Sequence, residues 1–262
     1  MLLYIIFNIE EIKLEISFEI LSILFFVAFS AGTIDTIAGG GGLLTIPALL
    51  WAGLPPASAL ATNKLQSVFG TFTASFYFIK KQMINLQEMR PMLIMAFVGS
   101  LIGSYTILQI DATLLKKIIP ILLILIGLYF LFSKNTGEIE KHKIISKLTF
   151  ALIFVTIIGF YDGFLGPGTG SFFTIAFIHF LGYEISNATA QTKVLNFMTN
   201  LASLLFFILF GKIYFIVGLT MGIGQILGAI LGAKLVVLKG QKLIRPLIVI
   251  ISFAMSIKLF LN

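Results

Sequence analysis

GTIDTIAGGGG, residues 32–42, and GFYDGFLGPGTG, residues 159–170, are two versions of one element, and pairing them aligns Asp35 with Asp162 and Gly39 with Gly166. The likeness continues outward. ATNKLQSVFGTFTAS, residues 61–75, pairs with AQTKVLNFMTNLASL, residues 190–204, and sets Lys64 opposite Lys193. Further along, Gly99 and Gly103 pair with Gly224 and Gly228, and Pro120 pairs with Pro246. Self-similarity over nearly the whole chain after residue 20 implies two copies of one structural unit. Each copy reads as a helix ending in a glycine-rich tip, a short apolar segment (43–54 or 171–181), and three longer helices. The short segments hold about a dozen residues, too few to span a bilayer alone, and fit a re-entrant half-helix folded back on the helix before it.

Composition places these units in a membrane. Hydrophobic residues make up 58% of the 262 residues and charged residues only 11%, whereas soluble domains carry roughly 25% charged residues. Apolar stretches recur at 20–38, 57–79, 92–110, 114–132, 148–165, 188–210, 213–235 and 243–261. Most approach the ~20 residues that cross ~30 Å of hydrocarbon as a helix. They do not alternate as the strands of a barrel would, so the expected class is an all-α polytopic membrane protein. With no Cys in the chain, disulfides, thiolate metal sites and cysteine nucleophiles are excluded. Glu10, Glu11, Glu15 and Glu19 follow the first apolar residues without a basic n-region, which makes a poor signal peptide. The net charge of +7 falls in short inter-helix segments and is read as orientation by basic loops rather than as nucleic-acid binding.

If each unit crosses an odd number of times, eleven basic residues share one side (Lys80, Lys81, Arg90, Lys134, Lys141, Lys143, Lys147, Lys234, Lys239, Lys242, Arg245). Five lie on the other (Lys13, Lys116, Lys117, Lys212, Lys258), with Lys64 and Lys193 inside the membrane. An even number of crossings would erase this bias. The positive-inside rule therefore favours two inverted repeats, 18–132 and 148–262, after an N-terminal segment 1–17 and around a cytoplasmic linker 133–147, with both termini outside.

Within each half, polar residues recur at helical spacing on the helix that carries the lysine: Lys64, Ser67, Thr71 and Ser75, then Lys193, Asn196, Asn200 and Ser203. Such a stripe faces protein or water rather than lipid. A lysine at the bilayer centre costs roughly 2.5–3.5 kcal/mol on insertion scales. At about 1.5 Å per residue the two lysines lie ~10 Å into their helices, so snorkelling to the nearer surface is the plain alternative to a site. The glycine tips supply backbone N–H groups and the positive end of a helix dipole, a setting that binds anions; glycine that merely permits close packing is the competing explanation. Beside the lysines, Asn63, Gln191 and Thr192 offer hydrogen bonds, as do Gly40, Gly41, Gly168 and Thr169 at the tips. Asp35 and Asp162 fit two roles equally, coupling through a proton or cation, or bracing the N–H groups of their own loops.

GGGGLLTIPALLWAGLPPASALATNKL (39–65), and GFYDGFLGPGTGSFF (159–173) with AQTKVLNF (190–197), resemble the two signatures of the TauE/SafE sulfite-exporter family of permeases. The resemblance implies movement of sulfite, sulfonates or related small sulfur-containing anions across the bacterial plasma membrane, without a cofactor. It also implies sites at Asp35, Gly40, Gly41, Asn63, Lys64, Asp162, Gly168, Gln191, Thr192 and Lys193. Pro47 and Pro167 lack counterparts in the other half, so the two half-sites need not be equal.

The leading expectation is a secondary transporter of a small anion, working by alternating access, with Lys64 and Lys193 converging on one central site. A coupling proton or sodium ion is left open as a partner. An uncoupled anion channel would use the same residues. A membrane-embedded hydrolase would have to rest on Ser171 and His179, about 12 Å apart along a helix, with no GxSxG or HExxH pattern in support. Neither a metal site nor a catalytic residue is expected.

Overall fold

In the computed structural model, residues 16–111 and 142–239 are described, together with residues 113–115, 117–119, 121 and 125. Among the described residues eight helices have both ends defined, the described residues between 113 and 125 add part of another, and there is no strand. The first half contributes α1 (Phe18–Ala38), α2 (Gly42–Trp51), α3 (Pro56–Lys80) and α4 (Leu86–Leu108); the second contributes α5 (Lys147–Phe164), α6 (Thr169–Leu181), α7 (Ile185–Phe210) and α8 (Phe215–Lys239). The expected N-terminal segment, most of the 114–132 helix, the linker through residue 141, the 243–261 helix and the Pro120–Pro246 pairing lie outside the described residues.

Helix ends follow local chemistry. Ser17 caps α1 by accepting from the Ile20 N–H, Asn85 caps α4 through the Gln87 N–H, and Ser146 caps α5 through the Thr149 N–H. α1 ends where Gly39 takes a left-handed conformation, φ 77°, and donates its N–H to the Asp35 carbonyl. Glycine reaches that conformation without a Cβ penalty. In the second half Gly166 and Gly168, φ 94° and 80°, make the equivalent reversal before α6. Each long helix therefore turns directly into a short one, as expected for the hairpins. α5 also contains a π-helical turn at Ala151–Val155, where the Thr156 hydroxyl donates to the Ala151 carbonyl, a feature that periodicity does not announce.

Among the described residues five helices, α1, α4, α5, α7 and α8, are long and apolar enough to cross a bilayer. The chain is a polytopic membrane protein. α3 has 25 residues but is not among the five, because Asn63, Lys64, Gln66, Ser67, Thr71, Thr73 and Ser75 dilute its hydropathy. Apolar side chains face outward as well as forming the core, as a lipid solvent allows, and a set of polar groups is buried among the helices. Phe18, Phe26, Leu209, Phe210 and Ile216 stand exposed, while Lys64, Lys193, Gln66, Asn196 and Thr199 are buried.

The halves interlock. α8 packs along α1 and α3, α4 packs along α5, and α7 lies against α3, α4 and α6. Both long crossings depend on glycine: a Cβ on Gly99 would sit 2.4 Å from the Thr156 carbonyl oxygen, and one on Gly103 would sit 2.0 Å from that of Phe160. On α8, Gly228 and Gly232 meet the Phe29 and Thr33 carbonyls in the same way, at 2.0 and 2.6 Å. Contact thus pairs Gly99 with Gly228 and Gly103 with Gly232, one helical turn beyond the pairing read from sequence, and at the same offset that separates Lys64 from Lys193.

Candidate functional site

The two hairpin tips meet. A Cβ on Gly39 would lie 2.3 Å from the Gly170 carbonyl carbon, and one on Gly42 would lie 3.2 Å from the Pro167 Cα. The Ser171 hydroxyl donates to the Ala38 carbonyl across this junction. Neither α2 nor α6 has a side-chain N-cap; in their first turns the N–H groups of Leu43, Leu44, Thr169 and Ser171 bond instead to the carbonyls of Gly40, Gly41, Gly166 and Gly168.

Two ion pairs tie each hairpin to the opposite half. Lys64 on α3 reaches Asp162 on α5, Nζ to Oδ1 at 2.8 Å, and also donates to the Asp162 carbonyl. Lys193 on α7 reaches Asp35 on α1, Nζ to Oδ2 at 3.0 Å, and donates to the Asp35 carbonyl. Neither lysine snorkels, for both are 1% exposed. A buried ammonium persists only when a counter-charge and hydrogen bonds replace water, and both are present here. The aspartates also brace their own tips. Asp35 Oδ1 accepts the Gly41 N–H at 3.2 Å, and Asp162 accepts the hydroxyls of Thr169 and Thr199. Their surroundings differ: the Asp162 side chain is 4% exposed and that of Asp35 is 19% exposed.

Between the tips lies a small cavity, about 30 Å³ of room for water-sized molecules. Its lining comes from both halves: Asp35, Asn63, Ser67 and Thr71 from the first, Asp162, Thr169, Asn196, Asn200 and Gln225 from the second, with five glycines of the tips. Among the described residues, no aliphatic or aromatic side chain lines it. Asn63 is held with its Oδ1 accepting from Gln66 Nε2 at 2.8 Å and facing the Thr45 hydroxyl at 2.6 Å, so its amide nitrogen is left toward the cavity.

The structure distributes the sequence candidates unevenly. Asn63, Gly41, Thr169, Asp35 and Asp162 line the cavity, and so do Ser67, Thr71, Asn196 and Asn200 of the two polar stripes. Lys64 and Lys193 do not; the expected convergence of two free ammonium groups is replaced by two pairs in which each charge is already met. Gly40, Gly168, Gln191 and Thr192 also stand outside the lining. Gln191 contacts Asn187, and Thr192 is bonded to Thr174 at 3.1 Å. Ser171 is committed to Ala38, while His179 is exposed and packs on Phe180, so the two make no catalytic pair.

Sequence reasoning missed Gln225, which enters the cavity from α8. The repeat hides it, because the contact register puts Ala96 in its place: Ala96 meets Gly159 as Gln225 meets Gly32. A lone amide in an apolar, glycine-rich helix was the available signal.

The family model described as "Sulfite exporter TauE/SafE" matches residues 24–259. A protein of Haemophilus influenzae named "Probable membrane transporter protein" is 49% identical over 246 residues, covering 94% of this chain and 96% of that protein. "Probable membrane transporter protein YfcA" of Escherichia coli K12 is 50% identical over 240 residues, 92% of this chain and 89% of its own length. "Probable membrane transporter protein ORF9" of a Sinorhizobium species is 45% identical over 245 residues, 94% of each chain. No solved structure matches the chain.

Proposed function

Because the chain belongs to the TauE/SafE sulfite exporter family, we propose that it is a secondary transporter that carries a compact sulfur oxyanion, sulfite or a near relative, across the bacterial plasma membrane. One observation carries the choice of cargo: the cavity between the hairpin tips is lined only by glycine and polar side chains. Sites for organic ligands are mostly apolar with a few placed polar groups. A small, wholly hydrophilic oxyanion fits this lining, and the aliphatic or aromatic tail of an organic sulfonate finds no partner in it.

The substrate would bind among Asn63, Thr169, Gly41 and the stripe residues Ser67, Thr71, Asn196 and Asn200, at the N-termini of α2 and α6. Lys64 and Lys193 act on the site from a distance, through the aspartates they pair with, and Gly40, Gly168, Gln191 and Thr192 lie outside its lining. Since each ion pair bridges the halves, alternating access would proceed by one half rocking on the other about these pairs. The recurrence of the same glycine contacts in α4–α5 and α8–α1 supports two repeats, and the basic-residue count supports their inversion, with the α3–α4 loop in the cytoplasm. A single cysteine at Gln82 tests the orientation in this cysteine-free chain. An impermeant thiol reagent is expected to label Gln82→Cys only after the cells are opened. Labelling of intact cells would reverse the topology.

Reconstituted protein is expected to accumulate labelled sulfite in liposomes, with methanesulfonate competing weakly and 4-toluenesulfonate at least tenfold more weakly than unlabelled sulfite. Equal competition by the aromatic sulfonate would reject the compact-oxyanion assignment. Flux far above carrier turnover would make the protein a channel.

A further inference from the structure

Gln225 is 3% exposed, lines the cavity, and its carboxamide has no hydrogen-bond partner among the described residues. Its amide atoms are not among those sealed inside the protein without a partner, so the carboxamide opens on the cavity instead of bonding to the fold. The room for this one has been cleared on two other helices. A Cβ on Gly32 of α1 would lie 2.8 Å from Gln225 Oε1, and one on Gly70 of α3 would lie 2.4 Å from the same atom. Three helices from both halves therefore shape a slot for a side chain that then bonds to none of them.

The equivalent place across the molecule is built differently. There the helix carries Ala96, and where the first half has Gly70 the second has Thr199, whose hydroxyl is spent on Asp162. That position holds no amide. The Gln225 side keeps an amide in reserve, and the nearby Asn196, 3% exposed and also lining the cavity, has an amide oxygen without a partner.

We infer that Gln225 is a substrate-binding residue: its Nε2 donates to an oxygen of the transported oxyanion, and it sets the affinity of the site from one side only. The inference rests on the transport reading above, and deepens it by naming a donor that has no repeat partner. A neutral amide can hold an anion by direction without the grip of a full charge, and so can let it leave.

Gln225→Met keeps the length and removes the polar atoms; Gln225→Glu keeps the shape and adds a negative charge. Sulfite uptake into proteoliposomes is expected to show KM raised about tenfold for Gln225→Met, equivalent to about 1.4 kcal/mol, and uptake all but lost for Gln225→Glu. The melting temperature of ligand-free Gln225→Met in detergent is expected to stay close to that of the parent, because the carboxamide that is removed bonds to no protein group. An unchanged KM, or a melting temperature lower by several degrees, would overturn the assignment and make Gln225 a packing residue. If the parent protein moves no sulfite, the transport reading fails, and the melting comparison alone decides whether the carboxamide is held for a ligand.

Discussion

Lys64→Ala, made alone, is expected to lower stability by about 3–5 kcal/mol, the usual consequence of leaving one partner of a buried ion pair uncompensated. For a chain of this length that corresponds to a fall in melting temperature on the order of 10 °C. Asp162→Asn is expected to do nearly the same, since the amide would present a donor either to Lys64 Nζ and the Thr169 hydroxyl, which share Oδ1, or to the Thr199 hydroxyl on Oδ2. The double variant is the informative one. Lys64→Met with Asp162→Asn removes both charges together, and Thr169 and Thr199 keep second acceptors in the Gly166 and Asn196 carbonyls, at 2.7 and 3.0 Å. This protein is therefore expected to melt above either single variant while remaining unable to transport sulfite. Losses that simply add would show that the two residues do not act as a pair.

The presence of this pair was half legible in the sequence. A lysine in each apolar helix, at repeat-equivalent positions, marked α3 and α7 as the helices that turn a polar face inward, and the faces read from their spacing are the ones that line the cavity. What spacing cannot supply is the partner. Asp35 and Asp162 sat beside the glycine tips, where bracing the local N–H groups is sufficient explanation; Asp35 does accept the Gly41 N–H, while Asp162 accepts the Thr169 hydroxyl instead. That each also crosses to the lysine of the other half is a fact of tertiary arrangement, over sequence separations that no periodicity records. The glycine register failed for a related reason. α8 repeats its small residues at Gly224, Gly228 and Gly232, so two alignments with Gly99 and Gly103 are equally good on paper, and only backbone contact with α1 and α5 selects between them. Gln225 escaped because the repeat, the strongest signal in the chain, draws attention to what recurs, and its counterpart is Ala96.

The unequal exposure of the two aspartates leads to the opposite expectation for the second pair. Asp35→Asn is expected to leave the protein folded, because the Asn carbonyl can still accept the Gly41 N–H, the Asp35 main-chain carbonyl still accepts from Lys193, and the side chain already touches the cavity. Its larger effect is electrostatic. Removing the carboxylate changes the local charge of the Lys193 pair from zero to +1 at the cavity wall, and a unit charge a few ångströms from a bound anion is worth on the order of 4 kcal/mol at an effective dielectric constant near 20. Even if relaxation and water absorb most of that, KM for sulfite is expected to fall by tenfold or more. Tighter binding of the resting state does not speed passage, because the same attraction opposes release. The maximal rate is therefore expected to fall as well, and initial rates of uptake across a range of sulfite concentrations separate the two effects. A KM that rises on Asp35→Asn would place the anion elsewhere and give Asp35 to a cation. A KM and maximal rate that are both unchanged would confine this aspartate to bracing its glycine loop.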